Sequence, residues 1–347
     1  MYIKKILFVV SILIAVGLAI FSYYIYNSIF SANTDFKEST HAIYIPTGAG
    51  FATVSDSLKP YLKDLESFQI VAQKKGYATN VRPGRYIIRK GMNNNELVNA
   101  LRSGNQPVSV VFNNQERLEN LAGRIAEQIE ADSFSLLKAF QDEEFLKKAS
   151  FDRESALGMY VPNKYELYWN TSAEEFRDRM QKEYNRFWNQ ERLQKAEKIG
   201  LKPSEVIALA SIVQKETAKV EERPRVAGVY MNRINRGMKL DADPTVIYSI
   251  KRQQQDFDTV IKRVLYKDLE IDSPYNTYKY AGVPPGPIFM PDISSIDAVL
   301  NYEKHDFIYF VADVENFGYH KFAKTHAQHI RNKQQYVNWV NKNGIRR

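Results

Sequence analysis

Residues 203–217, PSEVIALASIVQKET, organise the reading of this chain. Pro203 suits the first position of a helix, and neither glycine nor a further proline interrupts the run. Val206, Leu209, Ala210 and Val213 recur at helical spacing, and Glu216 continues that apolar stripe three residues after Val213. Gln214, Lys215 and Lys219 point elsewhere, so the stripe ends on one acid followed by Thr217. A carboxyl held against Ile212 and Val213 is expected to have a raised pKa, because burial disfavours its charged form. That is what a general acid needs near neutral pH. Patterning alone also admits a solvated or salt-bridged glutamate, the commoner fate of this residue near a helix end.

Toward the N-terminus, residues 6–26 are almost free of charge and follow Lys4 and Lys5. As a helix they span about 30 Å, the thickness of a bilayer core. The run is longer than the ~7–15-residue core of a cleavable signal peptide, and no small-x-small site follows it. A single-pass anchor is therefore expected. Tyr23, Tyr24 and Tyr26 suit the far interface, and Lys4 and Lys5 stay inside, which puts everything after Asn27 outside the cytoplasm. In a double-membrane bacterium that is the periplasmic face of the inner membrane.

The chain has no cysteine, so no disulfide supports it in an oxidising compartment, and its stability must come from core burial. Its 347 residues allow two domains beyond the anchor. The 48 Lys and Arg against 40 Asp and Glu give a formal charge of +8, which suits an anionic wall polymer or anionic lipid. Nucleic acid is discounted, because the cations are spread along the chain rather than packed into one stripe, and because the anchor faces them outward.

The expected division is a cytoplasmic tip and membrane helix at 1–27, a juxtamembrane linker at 28–40, a small module at 41–112 and a catalytic domain at 113–347. The module alternates short strands (residues 41–46, 85–88 and 108–112) with short helices (54–62, 68–76 and 95–103), which is a compact α+β pattern. Beyond it, residues 117–141 read as a helix with Leu121, Ile125, Ile129 and Phe134 on its apolar side. Residues 173–194 read as an amphipathic helix with Phe176, Met180, Tyr184 and Trp188 at four-residue steps, more often a core stripe than a ligand platform. Residues 224–234 give another helix, with Val226, Val229, Tyr230 and Ile234 inward, and 307–312 (FIYFVA) a buried strand.

Around the helix ending in Glu216, further blocks follow in order: ASIVQKET (210–217), ERPRVAGVYMNR (222–233), LDADPTVIY (240–248), SPYNTYKYAGVPPGPI (273–288), FIYFVAD (307–313) and HKFAKTHAQH (320–329). Together they resemble the endolytic murein transglycosylase, or YceG-like, family, which cleaves peptidoglycan glycan strands. Several co-linear blocks are far more specific than one short motif. The resemblance implies an α+β fold throughout: a transmembrane helix, a LysM-like module and an α+β lytic transglycosylase domain. It implies that Glu216, the Glu of the family's K-E-T block, is the catalytic acid. Gln214 stands where the family often has Glu, which removes a rival carboxylate. In GMYVPNKY (158–165) the family's Asp-Thr has become Asn163-Lys164, so substrate contacts at those two positions do not carry over. The implied substrate is peptidoglycan; peptidoglycan synthases are candidate partners, and no cofactor is implied. The module either holds N-acetyl sugars or only spaces the catalytic domain from the membrane.

Cleaving the β-1,4 bond between N-acetylmuramic acid and N-acetylglucosamine needs a proton for the leaving oxygen and support for an oxocarbenium-like centre. A hydrolase commonly adds a second carboxylate, whereas a lytic transglycosylase manages with one. The muramyl C6 hydroxyl attacks its own C1, and the acid that gave the first proton takes the second. Of the other acids, Asp243, in the family's Asp-Pro-Thr block with Thr245, is expected to shape a loop or contact substrate. Asp241 reads as solvated, and Glu221 and Glu222 as the acidic start of the next helix. Tyr275, Asn276 and Tyr278 beside the Pro/Gly run at 282–287 offer amide bonds and stacking for sugar rings, or else a rigid support. Thr217, Asn232, His320 and His329 complete the candidate substrate contacts, with Thr325 joining the two histidines in a polar network. His320, His326 and His329 lack a strong metal spacing, so no metal site is expected. No P-loop, nucleophile elbow or His-Glu-x-x-His occurs. Two other readings stay open: a muramidase using Asp243 to position water, and a non-catalytic wall-binding scaffold.

Overall fold

Strand pairing begins with the alternation in residues 41–46. In the computed structural model, which describes residues 2–343, β1 (Thr40–Ile45) and β2 (Gly84–Arg89) run antiparallel with Ile43 opposite Tyr86 and Ile45 opposite Gly84. Ile43, Ile45, Tyr86 and Ile88 face inward onto α2 (Phe51–Leu58), α3 (Leu65–Lys74) and α4 (Asn94–Ser103). The helix starts have local causes. Asp64 accepts from the Ser67 amide at 3.1 Å, and Asn93 and Glu96 form a reciprocal capping box, each such cap worth about 1 kcal/mol. Gly84 has φ +143°, and a Cβ there would lie 2.4 Å from Asn105, so only glycine fits the entry to β2.

Two compact units result. Of the described residues, the first gathers those up to Val110 with 126–131 and Tyr165–Ser172, and the second holds Val111–Ile125, Asp132–Lys164 and those from Ala173 on. In the first unit the returning segments are tied in by the Glu130 carboxylate, which accepts from the Thr47 amide (2.6 Å) and hydroxyl (2.7 Å), and by Trp169 packed edge-on to Tyr44. The apolar N-terminal run forms α1 (Tyr2–Phe30), about 43 Å long at 1.5 Å per residue and long enough to cross a bilayer. Its C-terminal end is fastened to the same unit. Asn94 Nδ2 donates to the Ser28 carbonyl (2.8 Å) and Asn33 Nδ2 to Asn94 Oδ1 (2.7 Å), while the Thr34 hydroxyl accepts from the Met92 amide (2.7 Å). Asn33, Thr34 and Asn94 are all buried.

The second unit is mainly helical. The strands β3 (Pro107–Phe112) and β4 (Asn163–Tyr168), most of whose residues belong to the first unit, pair with each other, and the helices of the second unit begin with α5 (Leu118–Ala126), α6 (Ser133–Phe140) and α7 (Glu143–Lys148). The single helix expected over 117–141 is thus two, because Asp132 accepts from the Ser135 amide at 2.7 Å and starts a new one. The helix expected over 173–194 likewise divides into α8 (Ala173–Phe187) and α9 (Gln190–Lys198), with Asn189 capping the second through the Arg192 amide. Then α10 (Pro203–Glu216), α11 (Arg223–Asn235), α12 (Asp243–Gln254) and α13 (Ile293–Leu300) surround one core of Val206, Leu209, Ile212, Val226, Tyr230 and Val299. The hairpin β5 (Tyr309–Ala312) and β6 (His320–Ala323) and helix α14 (His326–Lys342) close the unit. Residues 309–311 are half-buried rather than sealed as the apolar run had implied, because β5 has one strand partner and its side chains divide between α11 and α14. Residue 1 of the expected cytoplasmic tip and residues 344–347 of the expected catalytic domain lie outside the described residues.

Candidate active site

Helix α10 is buried without interruption from Val206 to Val213, so its register is fixed before it reaches Glu216. Ser211 and Gln214 lock it to the segment ahead of α13 and to the first turn of α13 itself. The Ser211 hydroxyl accepts from the Ile288 amide (3.1 Å), and Gln214 Oε1 accepts from the Asp292 amide (2.6 Å) and the Ser295 hydroxyl (3.1 Å). Thr217 is buried and extended, ending the helix, and its hydroxyl accepts from the Lys219 amide at 3.1 Å.

Glu216 is left part-buried at the wall of a cavity of about 640 Å³. Its Oε1 accepts a 2.7 Å hydrogen bond from the hydroxyl of Tyr230, a fully enclosed residue of α11. Burial pushes the Glu216 carboxyl up to about 7; the Tyr230 bond pulls the other way, and the Asp243 charge adds to the rise. Burial and the neighbouring carboxyl push the Tyr230 phenol well above its ordinary range, so it remains a donor. Asp243 opens α12 on the same cavity, and its Oδ1 accepts from the Tyr278 hydroxyl at 2.6 Å. Near neutral pH Glu216 is therefore divided between acid and carboxylate, with Oε1 engaged by Tyr230.

The YceG-like family profile matches residues 43–335, most of the chain. The chain belongs to the YceG-like family. It is 29% identical over 325 residues to an endolytic murein transglycosylase of Bacillus subtilis, covering 88% of this chain and 87% of that one. It is 28% identical to an endolytic murein transglycosylase of Streptococcus pneumoniae over 95% of this chain, spanning 65% of the relative's length. A crystal structure of a putative YceG-like protein from Listeria monocytogenes matches with a TM-score of 0.56 at 27% identity, over 85% of this chain and 99% of the other.

In this YceG-like chain the cavity brings together Glu216, Asp243, Tyr278 and His329 among the candidates read from sequence. The others face different partners. Thr245 is buried, donating to the Ala242 carbonyl (2.7 Å) and meeting the Thr277 hydroxyl (2.9 Å), which fixes the start of α12. Asn276 is buried too, its Nδ2 held by the Leu269 and Ile271 carbonyls and its Oδ1 accepting from the Tyr278 amide at 3.0 Å. These two residues aim the Asp243–Tyr278 pair. Tyr275 donates to Glu154 (2.9 Å), which also pairs with Arg252. Asn232 ties α11 to the His305 (2.7 Å) and Phe307 (2.9 Å) carbonyls.

His320 bonds Glu222, Nδ1 to Oε2 at 2.8 Å, so Glu222 reaches across to β6 instead of only opening a helix. His329 stacks on Tyr309 with ring centroids 5.1 Å apart, and Thr325 caps α14 through the Gln328 amide, so the expected network of Thr325 with His320 and His329 is not formed. Asp241 is exposed but pairs with Arg233 at 3.0 Å. Tyr230, read only as an inward-facing residue, is the contact that sequence reasoning missed. A buried tyrosine hydroxyl needs a partner, and that requirement was the available signal. Among the described residues no three of His, Asp and Glu converge as a metal site.

Proposed function

We propose that this chain is an endolytic lytic transglycosylase that cuts the MurNAc–GlcNAc bond of nascent peptidoglycan with Glu216 as acid and then base. The observation that carries the reading is the carboxyl of Glu216, raised to about 7 at the wall of a 640 Å³ cavity with Oε1 held by Tyr230. The curated relatives' names agree with it.

In the first half of the reaction Glu216 Oε2 protonates the leaving GlcNAc O4 as the C1–O4 bond breaks. The new carboxylate is stabilised by the Tyr230 hydrogen bond, a charge-assisted contact that strengthens as the proton leaves. The muramyl C6 hydroxyl then closes on C1, and Glu216 takes its proton. One bond forms, one breaks, the proton is returned, and no water is consumed. The substrate's N-acetyl group assists at C1. Asp243, held by Tyr278, places negative charge near the oxocarbenium-like centre and adds to the proton affinity that burial gives Glu216.

The apolar helix α1 suits a single-pass anchor in the cytoplasmic membrane. With Lys4 and Lys5 inside, both units face outward, next to newly polymerised strands, where cleavage would end their elongation. Peptidoglycan synthases working on the same strands are the natural partners. Full-length protein in detergent, incubated with uncrosslinked strands beside Glu216→Gln, tests the reading. Cleavage by the parent, its loss in the variant and retained co-sedimentation of both with sacculi are expected. Equal cleavage by both would remove Glu216 from the chemistry.

A further inference from the structure

The charged groups around the cavity are unequally satisfied. Arg233 is bound to Asp241, and Asp243 accepts from Tyr278. Two cations that line the same cavity remain: Arg263, in the stretch between α12 and the 3-10 turn Tyr266–Glu270, and Lys333 of α14. Among the described residues neither has an acidic side chain at ion-pair distance. Both side chains are exposed, so their charge is not a demand of the fold. Beside Lys333, one helical turn back, the His329 ring keeps a buried Nδ1 without a hydrogen-bond partner.

A neutral polysaccharide offers such cations nothing to bind. A murein strand does, because each muramyl unit bears a lactyl group whose carboxyl is either free or joined to a peptide with carboxylates of its own. We infer that Arg263 and Lys333 form a carboxylate-reading subsite beside Glu216, selecting strands whose muramyl units carry an anionic substituent. The inference rests on the transglycosylase reading above and adds the feature of the substrate that is recognised. Arg263 supplies a planar fork suited to two carboxylate oxygens, and Lys333 a mobile point charge. Binding the substituent would hold the muramyl C1 in register with Glu216.

The test uses the full chain in detergent, with Arg263→Gln, Lys333→Gln and the double variant. Three uncrosslinked substrates are compared: peptide-bearing strands, amidase-stripped strands with free lactyl carboxyls, and strands whose carboxyls are capped as methylamides. On peptide-bearing strands each single change is expected to raise KM about tenfold, with kcat within about twofold, as the loss of one charge-assisted contact predicts. On capped strands parent and variants should converge on one raised KM. An effect confined to stripped strands assigns the free lactyl carboxyl as the ligand, one confined to peptide-bearing strands assigns the carboxylates of the peptide, and a tenfold effect on both shows that the subsite takes either. Variants indistinguishable from the parent on all three substrates, or equally impaired on capped strands, would overturn the subsite. Failure of the parent to cleave any strand would instead count against the transglycosylase reading.

Discussion

The Tyr230 hydroxyl donates to Glu216 Oε1 at 2.7 Å, and this bond opposes the burial and the Asp243 charge that raise the same carboxyl. Two substitutions should therefore move the pH profile in opposite directions. A general acid must be protonated, so kcat/KM should fall as pH rises through about 7. Tyr230→Phe removes the contact that favours the carboxylate, and the descending limb should move to higher pH. Asp243→Asn removes the like charge, and the limb should move lower. Strand cleavage measured from pH 5 to 9 checks both; shifts of the same sign would contradict the assigned causes.

The same carboxyl links stability to pH. Below its ordinary value of 4.5 Glu216 is protonated in folded and unfolded chains alike; above that the unfolded chain ionises first, and the fold loses stability until about pH 7. The loss is of order 3 kcal/mol once both are ionised. Glu216→Gln keeps an oxygen for Tyr230 and removes the titration. It should melt at a higher temperature than the parent at pH 8 and at the same temperature at pH 4, as read by thermal unfolding in detergent.

Arg233 is the frame of the cavity. It is buried, and it donates to the carbonyls of Ile308 (2.8 Å), Lys239 (3.1 Å) and Leu240 (2.5 Å) besides pairing with Asp241, whose φ of +51° needs such support. Arg233→Met should cost about 3 kcal/mol or more, because several buried acceptors lose their donor together. Arg233→Lys should recover only part of that, since one ammonium cannot span the fork. Chemical denaturation of both variants gives the comparison.

In the first unit, Asn94→Ala should unfasten the end of α1. It strands the Ser28 carbonyl, the Ser67 hydroxyl and Asn33, with a cost of about 1–3 kcal/mol. Hydrogen exchange over residues 28–40 should quicken, while the products of strand cleavage stay the same.

What the sequence made visible follows from where the information is local. The register of α10 was readable because an unbroken stripe leads to Glu216, whereas α3, expected from residue 68, starts at Leu65 because Asp64 caps it ahead of the apolar run. The break between α8 and α9 was not, since Trp188 and Asn189 include neither Gly nor Pro and the aromatic spacing continues through Trp188. The run at 307–312 was read as a sealed strand. Its apolar residues are explained instead by two different covers, Tyr230 of α11 against Phe310 and His329 of α14 against Tyr309. The Asp243–Tyr278 bond joins residues 35 apart, and Tyr230 meets Glu216 across a helix–helix contact; periodicity reports neither. Gln214 was read as a departure from a family pattern, and in the fold its amide oxygen latches the Asp292 amide.

In the mechanism proposed for Glu216, one carboxyl cleaves the strand without water. The most direct test is mass spectrometry of the muramyl ends released by the full-length protein in water enriched in oxygen-18. 1,6-Anhydro ends carrying no label are expected from the parent, and no such ends from Glu216→Gln. Reducing ends carrying oxygen-18 would contradict that mechanism and make the chain a hydrolase, with Asp243 as the carboxylate that positions the water.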